Sequence, residues 1–246
     1  MFIYKLKAFG WHLLASLLIA AVSLGVIFFV WYPQPLYQAT GVIKIFLIML
    51  GIDIILGPLL TFIVYKPKKR TLKFDLAVIV LIQLAAFAYG FYHVYDGRPA
   101  WIAYNVDRFD LVKNNEIDKR KLTDALPMYQ KVSQSGARYV AAVIPKDDKE
   151  VSQQILFDEI GYGIAPSQRP ELYQPLDTVA ALLVTKSKPI EELYNYNDKS
   201  DVDNILSKYP TATRYLPLKA SAINMVVLID KTEADKVVNI VNLRPW

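Results

Sequence analysis

Three polar side chains stand near the midpoints of predominantly apolar stretches of this 246-residue chain: Ser23, Asp53 and Gln83. If those stretches cross a bilayer, the three lie at similar depth and can form one polar layer. A carboxylate at mid-bilayer costs at least about 2.5 to 3.5 kcal/mol, so Asp53 must face a bundle interior or a partner. Three chemistries fit. A protonated Asp53 hydrogen-bonding Gln83 glues the bundle, the layer offers a surface to another transmembrane helix, or Asp53 carries protons or ions.

Other reactive groups are sparse. The chain has no cysteine, which excludes disulfides, thiolate metal sites and a cysteine nucleophile. His12 and His93 fall at predicted ends of apolar stretches on opposite membrane faces, so they pack at the interfaces and cannot share a metal. No HExxH, GxSxG, P-loop or calcium-loop spacing occurs, and Gly161-Tyr162-Gly163 lacks GxGxxG spacing and reads as a turn. The acid pairs Asp147-Asp148, Asp158-Glu159 and Glu191-Glu192 read as solvated surface. The sequence therefore assigns no catalytic, cofactor-binding or metal residue.

The elements that must position the polar layer follow from composition. Hydrophobic residues make up 54% of the chain, high for a soluble protein. Residues 1–95 hold 8 Lys/Arg and 2 Asp/Glu, whereas 96–246 hold 20 and 21. The basic excess is thus confined to the apolar part, and nucleic-acid binding loses its main support. Apolar runs at 13–32, 41–65 and 74–95 meet the roughly 20 residues needed to span a bilayer. Lys5 and Lys7 precede the first run as in a signal peptide, but its apolar core exceeds the usual roughly 7 to 15 residues. Trp31-Tyr32-Pro33 looks like an interfacial anchor, and the segment reads as a retained span. Lys44 snorkels at the start of the second span, and Gly57-Pro58 interrupts it.

Lys66, Lys68, Lys69, Arg70 and Lys73 crowd the loop between spans two and three, which the positive-inside rule places in the cytoplasm. Asp75, in the first turn of the third span, pairs with Lys73 and stabilises the positive helix end. The N-terminus is then cytoplasmic, and everything after about residue 96 is exported. The short connection 33–40 makes spans one and two neighbours. The expected fold class is a membrane protein: three N-terminal transmembrane α-helices over 1–96, plus a C-terminal exported, periplasmic α+β domain over 97–246.

In that domain, β-branched and aromatic runs predict strands at 101–106, 139–144, 179–185, 224–230 and 237–243. Helical patterns occur at 121–134, 146–157 and 201–209. Residues 166–175, with Arg169-Pro170, read as an exposed loop, followed by Tyr194 and Tyr196 near a second loop.

Further motifs carry a resemblance. Trp31-Tyr32-Pro33, Asp53 followed by Gly57-Pro58-Leu59-Leu60-Thr61, Lys73-Phe74-Asp75-Leu76-Ala77, Ile82-Gln83-Leu84, Tyr89-Gly90 and Arg98-Pro99 together resemble the type IV pilin accessory protein family, of the TfpX/TfpZ kind. The resemblance covers nearly the whole chain. It implies a bacterial inner-membrane protein that assists its cognate major pilin in type IV pilus biogenesis, chaperone-like and not an enzyme. Its partners would be that pilin, the lipid bilayer and the pilus assembly machinery. On this reading Asp53, Gly57, Pro58, Gln83 and Ser23 are candidate intramembrane contacts with the pilin helix. Lys73, Asp75 and Arg70 are candidate contacts on the cytoplasmic face, where the resemblance implies an acidic residue on the pilin helix; the basic loop also serves as topology signal and lipid contact. The competing readings are a glycosyltransferase-like enzyme modifying pilin, which lacks the expected extra spans and acidic loop, and a small sensor or transporter.

Overall fold

A computed structural model describes residues 2–145, 147–230 and 236–246. Two compact units emerge, one from the N-terminus to Tyr37 with Gly41–Gly97, the other Gln38–Thr40 with Arg98–Trp246.

The first unit contains three helices long and apolar enough to cross a membrane: Phe2–Trp31, Val42–Val64 and Leu72–Asp96. The first starts eleven residues before the predicted span, because Phe2, Ile3, Tyr4 and Phe9 continue the apolar pattern around Lys5 and Lys7. The Lys5 ammonium lies 5.5 Å over the Phe62 ring and bonds the Ile63 carbonyl at 3.5 Å, so its charge sits at a helix end while its stem stays in apolar surroundings. His12, expected at an interface, is consequently inside the span. The segment Val26–Trp31 widens into a π-turn before Pro33, where the missing N–H and fixed φ discourage further helix. Tyr32 is buried and donates to the Val94 carbonyl at 2.7 Å, and Trp31 packs on Phe91 and Tyr95. The Trp-Tyr-Pro motif thus ties the first helix to the end of the third. Asp75 pairs with Lys69 at 2.6 Å and accepts from Thr71, so its partner is Lys69 where Lys73 was expected. Arg70 and Lys73 are exposed.

The second unit is an α+β domain on a mixed sheet of order β4-β3-β1-β2-β6-β7-β8: β1 Pro99–Asn105, β2 Arg108–Lys113, β3 Arg138–Ala142, β4 Tyr173–Gln174, β6 Ala212–Lys219, β7 Met225–Asp230 and β8 Val237–Val241. A short β5, Lys188–Pro189, also pairs with β6. β1–β2 is an antiparallel hairpin, while β1–β3 and β2–β6 are parallel. One core gathers Trp101, Tyr129, Val140 and Tyr173; another gathers Leu193, Val202, Tyr215, Val226 and Leu228. Ala39, from the connection between spans, accepts from the Ala222 and Ile223 amides within this unit.

Several expectations are corrected. Residues 179–185 form not a strand but the helix Ala180–Lys186, in which Leu183 is buried four residues after the buried cap Val179 while Leu182 is exposed. Residues 121–134 hold only a 3-10 turn, Leu122–Asp124, because Pro127 disfavours helix at the residue before it. The helix expected at 146–157 is Lys149–Tyr162, capped by Asp148 and closed by Gly163 in the left-handed region at φ 69°; Lys146 lies outside the described residues. The sequence missed β2 and β6, whose charges and internal Pro217 disguise strands buried in the sheet.

The segment 166–175 is not an exposed loop. Pro166, Ser167, Arg169, Leu172 and Tyr173 are buried, and Arg169 meets Asp158 at 3.0 Å and Glu171 at 2.9 Å. Asp158 is therefore core, not solvated surface, and it also accepts from Arg120 and Gln154.

At the β1–β2 turn Val106 adopts φ 62°, a left-handed conformation that a β-branched residue resists. Asn tolerates this region without the extra unfolded-state entropy of Gly. Val106→Asn is expected to stabilise the domain by about 1 kcal/mol, read as a higher thermal midpoint.

Candidate intramembrane site

Pro58 lacks an N–H and its ring crowds the carbonyl four residues earlier, so the second span cannot keep a regular ladder there. Its helix widens into a π-turn over Ile52–Leu56 and resumes at Gly57–Val64. Such turns leave main-chain carbonyls open to side chains. Gln83 uses one: its Nε2 donates to the Asp53 carbonyl oxygen at 3.2 Å. The bond expected between the Gln83 and Asp53 side chains thus engages the Asp53 main chain. Among the described residues, Gln83 Oε1 is buried without a hydrogen-bond partner.

Gly57 makes this approach possible, since a Cβ there would overlap the Gln83 carboxamide. Higher up, a Cβ at Gly90 would stand 3.3 Å from Met49 Sδ. Small residues at both points let spans two and three close on each other, the usual packing device where lipid removes the hydrophobic drive between helices. Gly57→Ala is expected to displace Gln83 and destabilise the bundle by about 1 kcal/mol. In Gln83→Ala the same change costs little, and a double-mutant cycle on detergent-phase thermal midpoints measures the difference.

Span one contributes His12, whose Nδ1 lies 2.6 Å from Thr61 Oγ1, and Ser16. The second span packs against both others, and the first and third meet at Trp31 and Phe91. Elsewhere they diverge around a cavity of about 430 Å³. Its walls are apolar, with Trp11, Ala15 and Ile19 from span one and Leu76, Val80 and Leu84 from span three; its floor carries His12, Ser16, Asp53, Thr61 and Gln83. Asp53 is buried and also borders a second cleft of about 320 Å³ beside Met49, Phe87 and Gly90.

The chain matches a family model described as fimbrial assembly protein FimB over residues 1–41. It is 32% identical to the fimbrial assembly protein, serogroup I, of Dichelobacter nodosus, over 94% of this chain and 92% of that protein. The serogroup E1 protein of the same organism is 31% identical over the same shares. A shorter relative, of serogroups C1 and C2, is 41% identical over 51% of this chain and 95% of its own length. The chain belongs to this family of fimbrial assembly proteins. No solved structure matches it. The resemblance to type IV pilus accessory proteins read from the sequence agrees with that membership.

In this chain the structure brings Asp53 and Gly57 to Gln83 on the seam of spans two and three, with buried Pro58 next to Gly57. Ser23 is buried but donates to its own helix at Ile19, 2.8 Å away, and does not line the cavity. His12, Ser16 and Thr61 occupy the polar floor in its place. Thr61 was legible within the Gly-Pro-Leu-Leu-Thr run. His12 was hidden by placing the start of the first span at residue 13.

Proposed function

We propose that the chain is a non-enzymatic accessory factor for type IV pilus biogenesis, which binds or chaperones its cognate major pilin in the bacterial inner membrane. The cytoplasmic basic loop and N-terminus set a topology in which residues 1–96 form the membrane domain and 97–246 a periplasmic domain. A pilin awaiting assembly is a single membrane helix with an exported head. A partner for it needs one intramembrane surface and one exported surface, and this chain offers both.

The observation that carries the reading is the cavity between spans one and three. It has apolar walls that suit a helix in lipid, and a polar floor that recognises hydrogen-bonding groups at a fixed depth. Asp53 and Gln83 supply that floor, and the Gly57-Pro58 bend creates it. The contacts first expected from spans two and three alone thereby extend to span one. Arg70 and Lys73, exposed at the cytoplasmic end, can pair with an acidic residue of the pilin helix, with Asp75 holding the turn through Lys69.

Photo-crosslinking in native membranes from Val80 and Leu84, which line the cavity, tests this. An adduct with the major pilin, together with loss of surface pili in a deletion strain, supports the role. Normal pili and no pilin adduct overturn it, and a glycosylation defect without an adduct favours the enzyme reading. Charge reversal at Lys73 that leaves the adduct unchanged discards the cytoplasmic pairing.

A further inference from the structure

β6 carries β7 along one edge, and on its other edge two short partners end to end. β5 pairs at Lys188–Tyr215 and Pro189–Arg214, and β2 pairs at Phe109–Leu218 and Asp110–Lys219. Between these two stretches the edge is interrupted at Leu216 and Pro217, and Pro217 has no N–H to offer a neighbouring strand. The interruption opens into a notch of about 530 Å³.

Its lining is basic apart from Asp107, which stands beside Arg108. Lys186 comes from the end of the helix Ala180–Lys186, Lys188 from β5 and Lys219 from the end of β6, with Arg108 at the rim. Lys186 and Lys188 flank Ser187, which is in extended backbone at φ −68° and ψ 146°, and both line the notch. Ser187 is buried and clamped by Arg214, whose Nε donates to its Oγ at 2.7 Å and whose Nη2 donates to its carbonyl. The main chain that carries the two lysines is therefore held at a fixed point.

Arg108 is already engaged, through Nε to Asp110 at 3.0 Å and Nη1 near Asp107 at 3.6 Å. Lys186, Lys188 and Lys219 make no ion pair among the described residues. Beside them stands the half-exposed indole of Trp246. This charge is a local concentration, because residues 96–246 as a whole hold 20 basic and 21 acidic side chains. Positive potential is thus focused in one concavity.

We propose that this notch binds a phosphate group carried on a compact organic body, held by Lys186, Lys188 and Lys219 and covered by Trp246. The planar fork that reads a carboxylate bidentately is the arginine's, and here it is spent on Asp110 and Asp107. Three separate ammonium point charges approach from different elements, which suits the several oxygens of a phosphate. The volume falls within the roughly 300 to 1,000 Å³ of small-molecule sites and exceeds what inorganic phosphate fills.

The test uses the full chain in nanodiscs of uncharged lipid, titrated with glycerol 3-phosphate and with inorganic phosphate by calorimetry and tryptophan fluorescence. Saturable binding is expected, tighter for glycerol 3-phosphate, and weakened about tenfold in Lys186→Gln/Lys188→Gln. Lys208→Gln, on an exposed turn outside the notch, should bind as the parent does. Trp246→Phe should remove most of the fluorescence change. Circular dichroism of each variant separates lost binding from lost fold.

Nanodiscs doped with phosphatidic acid that suppress the glycerol 3-phosphate signal identify a lipid headgroup as the source; undiminished binding there identifies a soluble phosphate ester. Absence of saturable phosphate binding, or binding indifferent to the notch lysines, overturns the proposal. So does an acidic peptide that binds the same lysines more tightly than either phosphate.

Discussion

Asp158→Ala is expected to destabilise the C-terminal domain by about 3 kcal/mol, the cost of breaking a buried ion pair and leaving Glu171 alone to face Arg169. Asp158 and Arg169 side chains are each 3% exposed and meet at 3.0 Å. The same carboxylate accepts from Arg120 at 2.8 Å and from Gln154 at 2.9 Å. It thereby joins the helix Lys149–Tyr162 to the turns around Arg169 and to the segment at Asp118–Arg120. Hydrogen exchange of β1 and β3 amides in the full-length protein reads the loss. Asp158→Leu/Arg169→Leu/Glu171→Leu, which removes Arg169 together with both of its carboxylate partners, should recover most of it. If the single variant proves as stable as the parent, the cluster is not holding the domain together.

The same cluster gives the domain an acid limit. Burial alone would push the Asp158 carboxyl upward, but the Gln154 amide and the Arg120 and Arg169 guanidiniums outweigh it and hold it below the ordinary value of 3.8. Asp118 is also held low, chiefly by its hydrogen bond from Arg120. A carboxyl that binds its proton more weakly when folded contributes its stability in full above 3.8. That contribution is lost as pH falls through the depressed folded value. The parent should therefore lose stability below about pH 4, and Asp158→Asn should lose less over the same interval.

At Asp53, the expected result is a split between two substitutions. Asp53→Leu should accumulate in the membrane as the parent does but associate with its helical partner about tenfold more weakly, the worth of one interhelical hydrogen bond in lipid. Surface pili should fall with it. Asp53→Asn keeps hydrogen-bonding capacity and removes only the titratable proton, so crosslinking and pilus display should stay close to the parent's. The main-chain carbonyl that receives Gln83 is present in both variants, which leaves the seam of spans two and three intact. If Asn abolishes function as completely as Leu while the adduct persists, Asp53 carries protons or ions and the docking reading fails.

The membrane half was largely legible before any coordinates, because the physics there is one-dimensional. Long apolar runs, the lysine-rich loop and a carboxylate in the second run all follow from what lipid forbids, and those rules act on local sequence. The first helix began earlier than expected because two lysines spaced along its start can direct their charges to the helix end. That choice hid His12 from the candidate layer.

The C-terminal half is less legible in the sequence. β1, β3, β7 and β8 announced themselves through β-branched and aromatic runs, whereas β2 and β6 carry Arg108, Asp110, Arg214 and Pro217 inside buried strands. Their charges are tolerated where folding brings partners to them, as Arg214 meets Ser187 from another element and Asp110 meets Asn105 across the hairpin. Asp158 and Arg169 looked like surface for the same reason.

Run length and composition are enough to place three apolar helices before an α+β domain, and to mark Asp53 and Gln83 as costly in lipid. Only the tertiary structure decided which groups Asp53 and Gln83 meet, that Gly57 is small to admit a side chain from another helix, and that three lysines converge on a gap in the sheet. Burial and pairing across long sequence separations are properties of packing, and no local pattern of residues encodes them.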